Sequence, residues 1–225
     1  MKAARRYRGL ILDFGGVVVK SFFETRVEFE KLLGLTEGTL EWRGPFDPQS
    51  DALWRRTLSN EISEGEYWAR RATEAGVLLG EHWTFQDFCR RYNDLAPDIV
   101  LRPEARRLLA DARQEGVRLA ILTNELERMN GIDWVKNNAV VRLFDALIDA
   151  THTKIPKPNP GAYRLALRAL GLRAEEAIFV DDQIKNVRGA EAIGICSVHL
   201  DITNPRAAFD TVTSLLRLPA RRQGS

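Results

Sequence analysis

The 225-residue chain reads as an α/β protein, a Rossmann-like parallel sheet with an inserted, mostly α-helical cap. Three patterns predict it. The run Gly9-Leu10-Ile11-Leu12 is apolar without interruption up to Asp13, as strands buried on both faces are. From about residue 101 onward, further apolar runs alternate with helical periodicity, the order that builds parallel strands with right-handed crossovers. Between these stretches the chain reads as helices and holds Trp42, Trp54, Trp68 and Trp83, four of its five tryptophans. Residues 1–20 and 97–225 are therefore expected as the core, and 21–96 as the cap.

The first strand ends at Asp13, and Gly15-Gly16 permits a tight turn with close backbone approach to whatever the carboxylate holds. A turn in which Asp13 only caps backbone amides would use the same residues. In the insert, helices are expected over 22–33, 50–58, 63–75 and 84–95. Pro103 then opens a helix whose Ala105, Leu108, Leu109 and Ala112 keep i, i+3, i+4, i+7 spacing, and Gly116 stops it. Residues 117–122 form a second buried strand running into Thr123-Asn124, and 146–149 form a third. Asn159-Pro160 supplies an N-cap and a first-turn proline for a helix that Gly171 ends. Residues 177–180 are a fourth strand, meeting Asp181-Asp182, and 195–200 a fifth; Asn204-Pro205 opens the last helix.

Thirty-three basic against 31 acidic residues leave a net charge of +2. That is a weak field for a nucleic-acid binder, so nucleic acid is not an expected partner. Arg5, Arg6 and Arg8 precede the first strand, while Arg221 and Arg222 lie in the tail; both are expected as solvated termini. Cys89 and Cys196 lack metal-ligand spacing and read as small core hydrophobes in a reducing, cytoplasmic compartment. The basic start makes a poor signal peptide. No apolar run approaches the roughly 20 residues that span a bilayer. A soluble protein without a membrane partner is expected, as a monomer or homodimer.

Four polar signals stand at predicted strand ends or in a neighbouring loop, where open α/β sheets gather their ligand groups. They are Asp13, Thr123, Lys157 within Ile155-Pro156-Lys157-Pro158-Asn159-Pro160, and the pair Asp181-Asp182. A nucleophilic carboxylate, a hydroxyl, an ammonium and an acidic pair suit phosphoryl transfer, which needs an in-line nucleophile and neutralised equatorial oxygens. Mg²⁺ prefers an octahedron of oxygens, toward which Asp13, Asp181 and Asp182 can contribute. Each residue alone also has an ordinary structural reading. Thr123 is a plain strand end, Lys157 a solvated loop lysine with Lys154 as its rival, and Asp181-Asp182 a helix cap. Their joint occurrence in this order favours a site.

In these motifs the chain resembles the haloacid dehalogenase-like hydrolases. The first motif is Asp13-Phe14-Gly15-Gly16-Val17 and the second Leu119-Ala120-Ile121-Leu122-Thr123-Asn124. The third is Lys157 in Lys-Pro-Asn-Pro with Tyr163 following, and the fourth Phe179-Val180-Asp181-Asp182 with Asn186 beyond it. The resemblance spans nearly the whole chain, helical cap included. Within the cap, the stretch from Asn60 to Trp68 is similar to one common in small sugar-phosphate phosphatases and epoxide-hydrolase-like N-terminal domains. The resemblance implies a Mg²⁺-dependent hydrolase that removes phosphate from a small phosphorylated metabolite through an aspartyl-phosphate on Asp13. It also implies that Thr123, the Asn124 amide and the amides of the Gly15-Gly16 turn bind phosphate oxygens. Lys157 would neutralise the phosphate and steady Asp13. Asp13, the Gly15 carbonyl, Asp181 and Asp182 would hold the metal, and Asn186, four residues past Asp182, would orient it.

One position departs from the family. Its phosphatases usually carry a second aspartate two residues after the nucleophile, as general acid and base, and here Gly15 stands there. Such a group is worth about 10²–10⁴-fold. Three outcomes follow: another group substitutes, the substrates carry good leaving groups such as anomeric or acyl phosphates, or the protein binds phosphorylated ligands with little turnover. The family's 2-haloacid dehalogenases are the alternative chemistry, working through aspartate without a metal. The acidic pair Asp181-Asp182, and the lack of their tyrosine at position 15, argue for the phosphatase. A cap inserted here would act as a lid touching the substrate beyond its phosphate. Its tryptophans are expected mainly as the core of a small bundle. Lys20, Arg26, Arg55 and Arg56 are candidates for reaching an anionic substrate, against the usual solvated fate of long cationic side chains, and His82, His152 and His199 show no ligand spacing.

Overall fold

Strands β1 (Gly9–Leu12), β2 (Arg118–Thr123), β3 (Ala146–Asp149), β4 (Ala177–Asp181) and β5 (Cys196–His199) pair in parallel, in the order β3-β2-β1-β4-β5. This computed structural model describes residues 6–219; Arg5, Arg221 and Arg222 lie outside the described residues. Period-two alternation sends the side chains of each strand to two helical layers. Leu10 and Leu12 join Leu119, Ile121, Ile178 and Val180 against the helices Pro103–Gln114 and Pro205–Leu215. Ile11 joins Ala120, Leu122 and Phe179 against the helix Pro160–Leu170 and Ala190 of Ile184–Glu191. The central strands β1, β2 and β4 are buried on both faces almost throughout, which is why they read as apolar runs.

The chain order places the site. From β1 the sheet grows through β2 to β3 on one side, and β4 then returns to the other side of β1. The reversal lies between β1 and β4, and open α/β sheets bind ligands at the carboxyl ends of strands at such a switch point. Asp13 follows β1 there, and Asp181 is the last residue of β4. Thr123 likewise ends β2, one residue later than the sequence places the strand end. Asn159 accepts the Gly161 N–H at 2.8 Å, and Gly171 stops its helix at φ +61°. Helices Leu126–Asn130, Ile132–Asn137 and Ala150–Thr153 are too short to leave a periodic signal, and the sequence does not show them.

Lys20–Val100 form a second compact unit. The insert therefore runs to Val100 instead of ending at 96. The helix Pro97–Val100 belongs to it, and the Val100 carbonyl accepts the Lys20 N–H at 2.8 Å. Its longer helices are Arg26–Leu32, Ala52–Leu58, Glu64–Leu78 and Phe85–Tyr92. Ser63 and Thr84 open the last two through capping boxes completed by Glu66 and Asp87. The helix expected from residue 22 starts only at Arg26, because Phe22 and Phe23 turn into an aromatic cluster with Trp54, Tyr67, Trp68, Phe88 and Tyr92. The cap tryptophans are thus mainly core, as expected.

The three candidate arginines of the cap are paired within their own unit. Arg26 donates to Glu30 at 3.2 Å and to the Leu40 carbonyl at 3.0 Å, Arg56 pairs with Glu61 at 2.8 Å, and Arg55 donates to the Gln49 carbonyl. Each spends its charge inside the cap. Cys89 is buried, whereas Cys196 is half-buried and packs against the edge of the core. Among the described residues no helix is long and apolar enough to cross a membrane.

Candidate active site

Asp13 leaves the sheet still in register: its N–H donates to the Val180 carbonyl at 2.9 Å. Its Oδ1 accepts the Phe14 N–H at 2.7 Å, so the capping reading holds for one amide. The chain then wraps a wide turn closed by the Val19 N–H on the Phe14 carbonyl at 3.0 Å. The two glycines in it serve different ends. Gly16 has φ +72°, and a Cβ there would lie 2.2 Å from Asp182 Oδ2; it supplies a left-handed residue and room for a carboxylate. Gly15 has φ −68° and ψ 139°, with nothing within 4 Å of the place a Cβ would take. No steric or backbone demand requires glycine there.

The turn has a support that sequence reading misses. Arg102, only 2% exposed, donates through Nη2 to the Gly16 carbonyl at 2.8 Å and through Nε to the Val17 carbonyl at 3.3 Å. No motif or periodicity marks an arginine just past the insert.

Lys157 is the expected ammonium, and Lys154 is not. The Lys157 Nζ lies 2.9 Å from Asp13 Oδ1 and 2.6 Å from Asp181 Oδ2, with its side chain 1% exposed. It sits over the Phe179 ring, 5.7 Å from the centroid. Lys154 is exposed and donates to the Thr151 carbonyl. Asn124, expected to offer its amide to phosphate, also uses its side chain: Nδ2 donates to the Lys157 carbonyl at 3.2 Å, and Oδ1 accepts the Lys157 N–H at 2.8 Å. Thr123 is buried at the end of β2 beside this pair.

Asn186 corrects an expectation. Its Nδ2 donates to Asp181 Oδ1 at 3.0 Å, so it orients Asp181 and not Asp182. The i, i+4 relation needs both residues inside one helix, and the helix begins only at Ile184. Asp181, at the strand end, lies within reach of Asn186 and also accepts the Gln183 N–H at 2.8 Å. Tyr163 completes the chain of bonds by donating to the Asn186 carbonyl at 2.8 Å. Of the histidines, His199 touches the site region, with Nε2 2.9 Å from the Asp182 carbonyl oxygen.

Burial pushes the Asp13 carboxyl up to about 6; the Lys157 ammonium pulls against that, and the Asp181 charge adds to it. Burial opposes the charge of Lys157, yet Asp13 and Asp181 outweigh it and hold the ammonium above its ordinary range. Lys157 is therefore a fixed positive charge. Asp13, Asp181 and Asp182 each present an oxygen within 4.8 Å of the others. An all-oxygen, anionic donor set suits a hard divalent ion such as Mg²⁺, and the Lys157 ammonium pairs with two of these three carboxylates, Asp13 and Asp181. The residues fit the ion. Together they present an anionic oxygen beside fixed positive charge, the arrangement for attack on an electrophile bearing anionic oxygens.

Residues 7–194 match the haloacid dehalogenase-like hydrolase family. The phosphoserine phosphatase of Thermus thermophilus is 32% identical over 166 residues, 73% of this chain and 58% of that protein. The haloacetate dehalogenase H-2 of a Moraxella species is 40% identical over 93 residues, 41% of each chain. The chain thus spans less than two thirds of either relative. Among solved structures, the putative hydrolase YfnB of Bacillus subtilis, bound to magnesium, superposes with a TM-score of 0.68 at 15% identity, covering 95% of this chain and all of that one; this likeness concerns the fold. With a family match that runs over residues 7–194, the chain belongs to the haloacid dehalogenase-like hydrolases.

Proposed function

We propose that the protein is a Mg²⁺-dependent phosphatase of small phosphorylated metabolites, with Asp13 as nucleophile. One observation carries the reading: the carboxylates of Asp13, Asp181 and Asp182 converge within 4.8 Å beside a lysine bonded to two of them. Dehalogenation at an aspartate has no use for that acidic pair. Asp13 attacks phosphorus, the bond to the leaving oxygen breaks with its electron pair on that oxygen, and water later cleaves the aspartyl-phosphate. Thr123, the Asn124 N–H and the amides of the glycine turn bind phosphate oxygens. Lys157 keeps Asp13 ionised and offsets the incoming charge. Asp13, Asp182 and the Gly15 carbonyl would hold the metal directly. Asp181 has its oxygens committed to Lys157, Gln183 and Asn186, and supports the assembly from behind. When bound, Mg²⁺ supplies Lewis-acid neutralisation of the phosphate. The net charge of +2 and the two free cysteines accord with a cytoplasmic enzyme whose partner is its metabolite.

The test is phosphate release from p-nitrophenyl phosphate, acetyl phosphate and hexose 1- and 6-phosphates, with and without Mg²⁺, beside chloride release from chloroacetate. Turnover is expected only with the metal. Asp13→Asn should lower it by at least about 10⁴-fold. Metal-independent chloride release would replace this reading with dehalogenation. Tight phosphate binding without turnover would make the protein a binder.

A further inference from the structure

The segment bearing Lys157 is held from two sides. On the β2 side, the Asn124 carboxamide bonds both backbone groups of Lys157, at 3.2 Å and 2.8 Å. On the β4 side stands Gly189, inside the helix Ile184–Glu191, where alanine is intrinsically the better residue. A Cβ at Gly189 would lie 2.7 Å from Tyr163 Oη, 2.8 Å from Pro158 Cβ and 3.0 Å from the Pro158 carbonyl oxygen. None of these neighbours yields easily: Tyr163 has no exposed surface, proline is a closed ring, and the carbonyl is main chain. The helix thus forgoes a methyl group where the Lys157-Pro158 backbone lies against it. Between the two supports the ammonium reaches Asp13 at 2.9 Å and Asp181 at 2.6 Å. A lysine side chain has many rotamers, so its charged end is placed only when its backbone is.

We infer that Asn124 and Gly189 are positioning residues for Lys157, one by two hydrogen bonds and the other by an absent side chain. The Asn124 carboxamide and the bare Gly189 act on a bound anion only through the ammonium; the Asn124 main-chain N–H is a separate group that Asn124→Ala leaves in place. The anion rests on the phosphatase reading; the clamp does not.

The test is a mutant cycle on the Mg²⁺-loaded protein. Asn124→Ala and Gly189→Ala are made in the wild-type and Lys157→Met backgrounds, and the affinity for inorganic phosphate is measured by calorimetry. Each substitution should weaken phosphate binding roughly tenfold or more in the wild type, as displaced positioning groups do. In Lys157→Met each should change it by less than about twofold, because the group they place is gone. The same loss in both backgrounds, or no loss in the wild type, overturns the inference. If Lys157→Met does not fold, Lys157→Gln takes its place, removing the charge while keeping a polar end, with the same two expectations. A second readout needs no ligand: the Lys157 backbone N–H, bonded to Asn124 Oδ1, should exchange slowly in the wild type and fast in Asn124→Ala. A wild type that neither binds nor releases phosphate ends the phosphatase reading. The exchange rates still decide the clamp, unchanged rates counting against it.

Discussion

Two carboxylates, one in each unit, show how differently the protein treats buried charge. In the cap, Asp51 is 1% exposed and accepts the N–H groups of Arg43, Gly44 and Trp54, the Tyr67 hydroxyl and the Arg71 guanidinium. Burial would raise its pKa, but the donors led by the Gly44 N–H, the Tyr67 hydroxyl and the Trp54 N–H win and hold it below the usual range. In the core, Asp13 shares one ammonium with Asp181 and accepts one backbone N–H, and burial carries it up to about 6. The cap's charge is satisfied and structural. The core's charge is left short of partners, which is what a group meant to meet a cation and an electrophile requires.

The sharpest way to break this contrast is to remove Asp51. Asp51→Ala leaves Arg71 buried without its 2.6 Å partner and should cost about 3–5 kcal/mol. Urea unfolding followed by fluorescence will report it, since four of the five tryptophans lie in the cap. Asp13→Asn should leave the metal-free protein as stable as before or more so. Equal losses from the two substitutions would erase the distinction between them.

The pH dependence carries the same contrast with opposite signs. A depressed pKa means the Asp51 contribution is complete above about pH 4, the unfolded value, and fades as pH falls through the folded one. A raised pKa means folded Asp13 holds its proton more tightly than unfolded chain does. Metal-free stability should therefore decline as pH rises from about 4 to about 6, by on the order of 2 kcal/mol. Urea midpoints of the wild type and Asp13→Asn across that window will check it; the slope should vanish in the variant. Saturating Mg²⁺ should flatten it too, by favouring the ionised carboxylate.

How much of this was legible in the sequence depends on whether a residue's neighbours are local. The strands, and with them Asp13, Thr123 and Asp181, announce themselves because apolar runs end at polar residues; Lys157 stands in a loop and is legible only in company with them, and the switch point needs a strand order that only the folded sheet shows. The partner of Asn186 was misread because a helix rule was applied across a helix start. Arg102, Gly189 and the Asp51 hub carry no local mark: the five donors to Asp51 come from residues 43 to 71, and only folding brings them together. The cap was read least well for this reason. Its organisation is a matter of side chains meeting across helices, whereas the core's is fixed by a sheet.

The smallest expected effects separate two adjacent glycines. At Gly16 a side chain meets φ +72° and an Asp182 oxygen at 2.2 Å. Gly16→Ala should therefore cost about 1–2 kcal/mol in the left-handed backbone and weaken Mg²⁺ binding by displacing a ligand. At Gly15 neither obstacle exists, and Gly15→Ala should change stability by less than about 1 kcal/mol, with a sign set by lost chain entropy in the unfolded state. Thermal melts with and without Mg²⁺ will resolve the pair. The open place at Gly15 also makes a gain testable. A carboxyl group put there by Gly15→Asp would stand two residues from the nucleophile, where it can protonate a leaving oxygen and then accept a proton from water. Alkyl phosphates, whose leaving groups need that proton, should speed up by about 10²-fold, while acetyl phosphate, whose leaving group departs without one, should change little. If both substrates respond alike, the glycine was not what limited the enzyme's acid–base chemistry, and another group already performs it.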